Sequence, residues 1–562
     1  PNLAAFMSGG TATTYDRTYS LLDPGKTGDQ SVNAAAKFNT LRLGVFANDE
    51  VKVSDNLTIN FGIRLDNTRF LTTPKEDKFF NDTAIGKISQ YYDLKGARSG
   101  QIASPKWSIN PRFGFVYKIN DEGITIRGGA GWFTGRVPLV WPGGVYNNNG
   151  ISLAGIRSSN VTFRPDAYNQ YTASDFGINV PVPSGQVDLI AKDFKMNKVF
   201  RTSLAVDKKL GHGWKITMEG IYTKNINEID YKRVDILPAN LKSVGADVRD
   251  VYSLSGSYTK QIPFRSNGSN PYTGIYLLSN NTDQKKGYSY SLTFAVDKAW
   301  QNGFAFNANY TYGSSYVLNE GTSSQNNSQW RYMETVNGRN NIVRSMSDYD
   351  LGSRINAYIA KKFTYAKGNL ATTVSLVYNG QSGNPYSYVI NRGMVRDYDN
   401  FETNDLVYVP KNASEINFEQ NGALTPAAQW QLLDNYINND PYLKTRRGMY
   451  AERNGARLPF SNILDLKLQQ DFNLKISGKT YQLQVTYDIF NFTNMLNHNW
   501  GRQTFVSNDQ YILLDFRGYK SATDLTPIYR FTPPASGNVY TISDGVFNSS
   551  RWSSQIGVRL SF

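Results

Sequence analysis

The chain has 562 residues, of which 40% are hydrophobic and 14% aromatic, with a formal net charge of +14 and a mean hydropathy of −0.47. It has no cysteine, which excludes disulfides and Cys-ligated metal, and no apolar run approaches the roughly 18 residues of a membrane-spanning helix. Its 60 Lys and Arg residues are spread along the chain rather than clustered, so we expect no nucleic-acid partner.

Apolar and polar residues alternate along many segments, which is typical of strands with one apolar and one polar face. In LTINFGIRLD, residues 57–66, Leu57, Ile59, Phe61, Ile63 and Leu65 share one phase. In chain order the segments with this period are 41–53, 57–66, 111–118, 124–133, 200–208, 214–223, 288–296, 304–312, 355–363, 371–378, 464–469, 481–489 and 553–562. The pattern predicts thirteen strands.

The connections between these strands alternate between short and long. Six are short turns rich in Asn, Asp and Gly, such as Gln301-Asn302-Gly303 and Ser477-Gly478-Lys479. The others are long polar segments at about 71–107, 137–198, 225–285, 315–350, 381–462 and 496–552. Connections this long without regular structure are rare in compact soluble domains. Short turns on one side and long loops on the other are typical of a transmembrane barrel.

The sequence therefore predicts an all-β fold, a transmembrane antiparallel β-barrel with long extracellular loops. A closed sheet satisfies every backbone group in lipid, and its wetted interior explains the low mean hydropathy. Charged residues on the polar phase are assigned to the lumen: Arg64, Arg127, Glu219, Asp465, Lys467, Asp488 and Arg559. Tryptophans at strand ends are assigned to the two membrane interfaces: Trp107, Trp132 and Trp552 on the loop side, Trp214 and Trp300 on the turn side.

Thirteen strands is an odd number, whereas bacterial single-chain barrels have even numbers. Either a fourteenth strand lies within residues 1–38, or residues 1–562 are the C-terminal portion of one larger barrel domain. We favour the second interpretation. The final strand is SSQIGVRLSF at 553–562, and its last apolar residues are Val558, Leu560 and Phe562. It resembles the C-terminal signal that the barrel-assembly machinery recognises in outer-membrane proteins.

Two segments carry a family resemblance. LGVFANDEVKVSDNLTINFGIRLD, residues 43–66, resembles a hairpin of TonB-dependent transporters, with Val51 in place of the usual Trp. INPRFGFVYKINDEGITIRGGAGWFTGRVPLVW, residues 109–141, is similar to the Oar-like branch of that family. The resemblance implies a 22-stranded barrel with an N-terminal plug and a TonB box, powered from the inner membrane. Neither plug nor TonB box is visible in this sequence.

The resemblance implies a bacterial outer-membrane receptor that binds a ligand in its loops and lumen and imports it. Expected partners are membrane lipid and lipopolysaccharide, the assembly machinery, TonB, and a surface lipoprotein or other outer-membrane protein. Loop aromatics in polar surroundings are candidate ligand contacts, although they can equally pack the loops together: Trp141, Tyr146, Trp330, Tyr332, Tyr386, Trp430 and Trp500. A passive 14-stranded channel and a surface scaffold or adhesin are the alternatives.

No nucleophile–base pattern accompanies the many serines and carboxylates, and His212 and His498 lie far apart. We therefore expect neither an enzyme nor a resident cofactor. Asp348 and Asp350, and Asp397 and Asp399, form two Asp-Tyr-Asp clusters in the loops. Such oxygen ligands suit Ca²⁺, but solvated loop acids are the interpretation that the sequence favours.

Overall fold

The computed structural model of the protein describes residues 9–21, 35–136, 138–177, 185–254, 260–397, 403–476, 479–534, 539–542 and 550–562. Within these ranges, thirteen long strands form one antiparallel sheet in which each strand pairs with the next along the chain. These strands, β1–β13, are Thr40–Lys52, Leu57–Phe70, Trp107–Ile119, Ile124–Thr134, Lys198–Gly211, Trp214–Asn227, Tyr288–Gln301, Phe304–Val317, Gly352–Tyr365, Leu370–Gln381, Ser461–Ile476, Lys479–Phe490 and Ser553–Ser561. The predicted all-β antiparallel fold is confirmed.

Short turns join alternate pairs of strands at one side of the sheet. Asn302 and Gly303, between β7 and β8, have φ angles of 54° and 66°. A two-residue hairpin of type I′ requires both central residues in this left-handed region, and Asn-Gly adopts it at low cost. The turn predicted at Ser477-Gly478-Lys479 falls largely at residues 477 and 478, outside the described residues.

The sheet has one apolar face, which is exposed. Phe61 on β2 pairs with Phe113 on β3, and the centroids of their rings are 5.4 Å apart. On the same face Met218 and Leu292, on β6 and β7, are each 59% exposed. A continuous apolar surface of this extent is unfavourable in water, so it indicates a surface that contacts lipid.

The long connections are folded, and the expectation of segments without regular structure is wrong. Strand Gly274–Asn280 pairs with Ile229–Arg233 and Gln186–Ile190. Pro385–Asn391 pairs with Gln510–Tyr519, which in turn pairs with Pro527–Arg530. Three hydrophobic clusters of more than ten buried residues each hold these elements together. We call the described parts of the connections 71–106, 135–197, 228–287, 318–351, 382–460 and 491–552 the loop assembly.

The α-helices of the loop assembly are short. They are Ile85–Ile88, Val140–Asn147, Asn326–Arg331, Pro426–Asn439 and Phe492–Leu496. Its remaining strands include the two-residue pairs Leu241–Lys242 with Asp250–Val251, Tyr408–Val409 with Met449–Tyr450, and Thr504–Phe505 with Thr541–Ile542. None of the helices in the described ranges is long and apolar enough to cross a membrane.

The described residues before β1 join the loop assembly. Thr11–Ala12 pairs with Val161–Thr162, and Tyr15–Ser20 pairs with Leu153–Ser158. Residues 9–21 and 35–38 therefore add no fourteenth strand to the large sheet. The rest of the segment 1–38, in which that strand was considered, lies outside the described residues.

Candidate ligand-binding site

The seven charged residues that the sequence assigns to the lumen share the polar face of the large sheet. Strand register shows this directly, since Arg127 on β4 pairs with Ala205 on β5, which pairs with Glu219 on β6. In the same way Lys467 on β11 pairs with Asp488 on β12. Arg64, Asp465 and Arg559 fall on the same phase of β2, β11 and β13. The lumen assignment itself stays a prediction.

Most of these charges are paired with each other along the wall. Arg127 Nε lies 3.1 Å from Asp207 Oδ2, and its Nη1 lies 3.3 Å from Glu219 Oε1. Lys467 Nζ lies 2.8 Å from Asp488 Oδ1. Partly exposed pairs of this kind contribute little to stability, about 0–1 kcal/mol each. Their effect is to leave a wall that is wetted but locally neutral.

A row of asparagines crosses three adjacent strands of the same face. Asn309 on β8 pairs with Asn356 on β9, which pairs with Asn379 on β10. Asn379 Nδ2 donates to Asn356 Oδ1 over 2.9 Å, and Asn356 Nδ2 donates to Asn309 Oδ1 over 3.3 Å. In the neighbouring row the hydroxyls of Thr293 and Thr311 are 2.9 Å apart. Sequence reasoning concentrated on charged residues and missed this row.

A cavity of about 1100 Å³ lies within the loop assembly. Helix Val140–Asn147, strands Leu153–Ser158 and Gln186–Ile190, and the start of helix Asn326–Arg331 contribute to its wall. Side-chain amides are the commonest polar groups of the lining: Asn147, Asn148, Gln186, Gln325 and Asn326. A concave site with convergent polar groups is the default candidate for ligand binding.

Asp188 is one of two aspartates that line this cavity, and it is only 4% exposed. Asn148 Nδ2 donates to its Oδ2 over 3.0 Å, and Gln186 Nε2 donates to its Oδ1 over 3.1 Å. Burial raises the pKa of the Asp188 carboxyl to about 6. The carboxylate lies so close to the helix that a Cβ added at Gly144 would collide with Oδ2. A side chain at position 144 would therefore displace the Asp188 carboxylate.

Asn326 stands beside this acid and is 1% exposed. Its Nδ2 donates to the Trp141 carbonyl oxygen over 3.3 Å, while its Oδ1 has no hydrogen-bond partner among the described residues. An acceptor buried without a partner costs roughly 1–3 kcal/mol. Sequence reasoning missed both Asp188 and Asn326. The signal was present for Asp188, because an acid within the apolar strand QVDLI indicates a buried carboxyl with partners.

The loop aromatics that the sequence offered as ligand contacts divide into two groups. Trp141, Trp330 and Tyr386 are 6%, 1% and 4% exposed and belong to hydrophobic clusters. For these three the structure gives a packing role, the alternative that the sequence left open. Tyr146 and Trp430 are half-buried against the same clusters, whereas Tyr332 and Trp500 are exposed. Tyr146 stacks on Phe38, whose ring lines the cavity, with centroids 4.4 Å apart.

The strand-end tryptophans lie at both sides of the sheet. Trp107 and Trp132, on β3 and β4, are exposed near the loop assembly, and Trp552 immediately precedes β13. Trp214 begins β6 and Trp300 lies near the end of β7, both at the turn side. Val558, Leu560 and Phe562 are exposed at the outermost strand, with Phe562 94% exposed. These positions suit the predicted membrane interfaces and assembly signal, which stay predictions.

The acids considered for Ca²⁺ have protein partners. Asp348 Oδ1 accepts from Asn454 Nδ2 over 2.6 Å, Asp350 Oδ2 accepts from Ser314 Oγ over 2.7 Å, and Asp397 forms an ion pair with Arg339. Asp399 lies outside the described residues. In the part of the chain that the structure describes, no group of three or more His, Asp or Glu side chains is placed to hold a metal.

Comparison with family models gives a match over most of the chain. The model of a family described as an outer membrane beta barrel domain matches residues 3–512. A search of the curated proteins finds no match.

Solved structures give weak likenesses. The FrpB iron transporter from Neisseria meningitidis is 10% identical with a TM-score of 0.35, and the match covers 83% of this chain and 43% of that one. BauA, the ferric preacinetobactin receptor from Acinetobacter baumannii, is 10% identical with a TM-score of 0.35, covering 81% and 39%. Fiu, a ferric-catecholate import receptor from Escherichia coli K12, is 10% identical with a TM-score of 0.30, covering 84% and 42%. This chain thus spans less than half the length of each of the three.

Proposed function

Because this chain belongs to the family of outer membrane β-barrel domains, we propose that it forms the wall and the extracellular surface of an outer-membrane transporter. The predicted localisation, integral in the bacterial outer membrane, is confirmed by this membership. The ligand binds in the loop assembly and passes along the polar face of the sheet. The ligand is released chemically unchanged, so in this proposal the protein is not an enzyme.

One observation supports this proposal above the others. The sheet joins an exposed apolar face to a polar face with paired charges and an asparagine row, and its loop side carries a folded assembly with a cavity of about 1100 Å³. A scaffold does not need a ligand-binding cavity, and a passive channel does not need a folded loop assembly at its loop side. Capture followed by passage is the function that uses all three features.

Energy for import would come from the inner membrane. The resemblance of residues 43–66 and 109–141 to TonB-dependent transporters of the Oar-like type supports a link to TonB. Lipid and lipopolysaccharide would contact the apolar face, and the barrel-assembly machinery would insert the chain. A surface lipoprotein is a further proposed partner for the exposed side of the loop assembly.

The test is uptake by cells of the native host. A strain without the gene is compared with strains that express the full-length wild-type protein with and without TonB. We expect growth on the transported nutrient to require both proteins. Growth that needs this protein but not TonB would indicate a passive channel. Unchanged growth, together with loss of a surface partner, would indicate a scaffold.

A further inference from the structure

We propose that the cavity of the loop assembly binds a neutral, hydroxyl-rich ligand of the oligosaccharide class. The inference rests on the proposed transporter function and names the substrate class for it.

The lining offers donors and acceptors together. Each side-chain amide supplies two N–H donors and one carbonyl acceptor, and five amides contribute to this cavity. Asp188 adds a carboxylate acceptor, to which Asn148 and Gln186 each already donate one hydrogen bond. A hydroxyl group donates and accepts at once, so it can satisfy both kinds of group. A protonated amine can only donate, and would leave the amide N–H groups without acceptors.

The charge of the lining argues against an anionic ligand. The cavity wall includes one arginine, Arg157, and two aspartates, Asp16 and Asp188. Arg157 and Asp16 are direct register partners on neighbouring strands. An anion such as a ferric hydroxycarboxylate chelate would need surplus positive charge, because a buried charge requires a compensating partner. Among the described residues of the lining, one arginine against two aspartates gives no such surplus.

The volume favours a ligand of several units. About 1100 Å³ lies slightly above the roughly 300–1,000 Å³ of small-molecule sites. The ring of Phe38 lines one side, held by its stacking on Tyr146. An aromatic face beside amides gives a sugar ring an apolar surface for its C–H groups and partners for its hydroxyls.

The polar face of the sheet carries the same chemistry in the asparagine row. Helix Asn326–Arg331 lies in the connection that follows β8, and β8 carries Asn309 of the asparagine row and Thr311 of the hydroxyl row. The wall of the proposed path is thus lined here by neutral amides and hydroxyls. A ligand recognised by amides in the cavity would meet amides again during passage.

The test measures binding to purified full-length protein in lipid nanodiscs by calorimetry. The neutral probes are malto-, cello-, manno- and xylo-oligosaccharides of four units, and the charged probes are ferric citrate and tetralysine. Gly144→Ala displaces the Asp188 carboxylate. Gly86→Ala is the matched control, since a Cβ at Gly86 meets no atom within 4 Å. Gln186→Leu removes a hydrogen bond to Asp188 without crowding and serves if Gly144→Ala does not fold.

We expect at least one neutral oligosaccharide to bind in preference to both charged probes. Gly144→Ala or Gln186→Leu should weaken that binding at least tenfold, while Gly86→Ala leaves it unchanged. The inference is overturned if no neutral probe binds, or if the affinity of the bound probe is unchanged in both Gly144→Ala and Gln186→Leu. Failure of the transporter proposal looks different: the sugar binds but is not taken up. Uptake of ferric citrate without sugar binding would keep the transporter and reject the ligand class.

Discussion

The Tyr529 hydroxyl donates a hydrogen bond to Asp247 Oδ2 over 2.6 Å, although the two residues are 282 positions apart in the chain. Asp247 Oδ1 also lies 2.8 Å from Arg249 Nη2, and both charged side chains are almost fully buried. The contact joins the third and the sixth connections of the loop assembly. These two connections therefore fold together and not as separate loops.

We predict that Tyr529→Phe loosens the loop assembly without affecting the large sheet. A hydrogen bond to a charged group contributes roughly 1.5–3 kcal/mol, so amide exchange in the pair Leu241–Lys242 and Asp250–Val251 should accelerate at least tenfold. Hydrogen exchange followed by mass spectrometry measures this. Tyr349→Phe is the control, because Tyr349 is 73% exposed. Equal exchange in both variants would show that the contact does not join the connections.

A second prediction tests which face of the sheet meets lipid. Leu292 and Thr293 are neighbours on β7 but point to opposite faces, and Leu292 is 59% exposed. Leu292→Lys should reduce folded protein in outer membranes, since a lysine on the lipid face at mid-bilayer costs about 2–4 kcal/mol. Thr293→Lys should be tolerated on the wetted face. The folded fraction is read from heat-modifiable migration in gels, and the reverse order of the two variants would invert the face assignment.

The sequence predicts the sheet far better than the loop assembly. Strand β2 is evident because apolar residues recur at every second position from Leu57 to Leu65. This alternation is a local property of the sequence, since one face of the strand contacts lipid. The Tyr529–Asp247 contact has no such signal, because its partners are remote and neither lies in a periodic segment. Asp188 and Asn326 are also remote from each other in the chain, so only the folded structure brings them together. The grouping of these two residues was therefore beyond sequence reasoning, although the acid within QVDLI and the amide-rich composition were visible.

A third prediction separates packing from ligand contact among the loop tryptophans. Trp330 is 1% exposed, and its Nε1 donates to Asn340 Oδ1 over 2.8 Å, whereas Trp500 is 55% exposed. Trp330→Ala should lower the free energy of unfolding by roughly 3–5 kcal/mol, the usual cost of deleting a buried aromatic. Trp500→Ala should change it by less than about 0.5 kcal/mol. Thermal unfolding measures both, and a stable Trp330→Ala protein would contradict the packing role.

The last prediction concerns pH and the buried Glu320, whose Oε2 accepts from Ser347 Oγ over 2.9 Å. Burial first, and then the nearby Asp348, raise the pKa of the Glu320 carboxyl from 4.5 to about 7. The folded state therefore holds a proton that the unfolded chain has released, so stability falls as the pH rises from about 4.5 to 7, by about 3 kcal/mol for this group. Burial also raises the pKa values of Asp188 and Asp230 to about 6, so their ionisation likewise lowers the stability of the fold as the pH rises.

Glu320→Gln should raise the unfolding temperature at pH 8 and flatten the decline of that temperature between pH 5 and pH 8, whereas exposed Glu50→Gln should do neither. Parallel pH profiles for wild type and Glu320→Gln would show that Glu320 is already ionised in the folded protein.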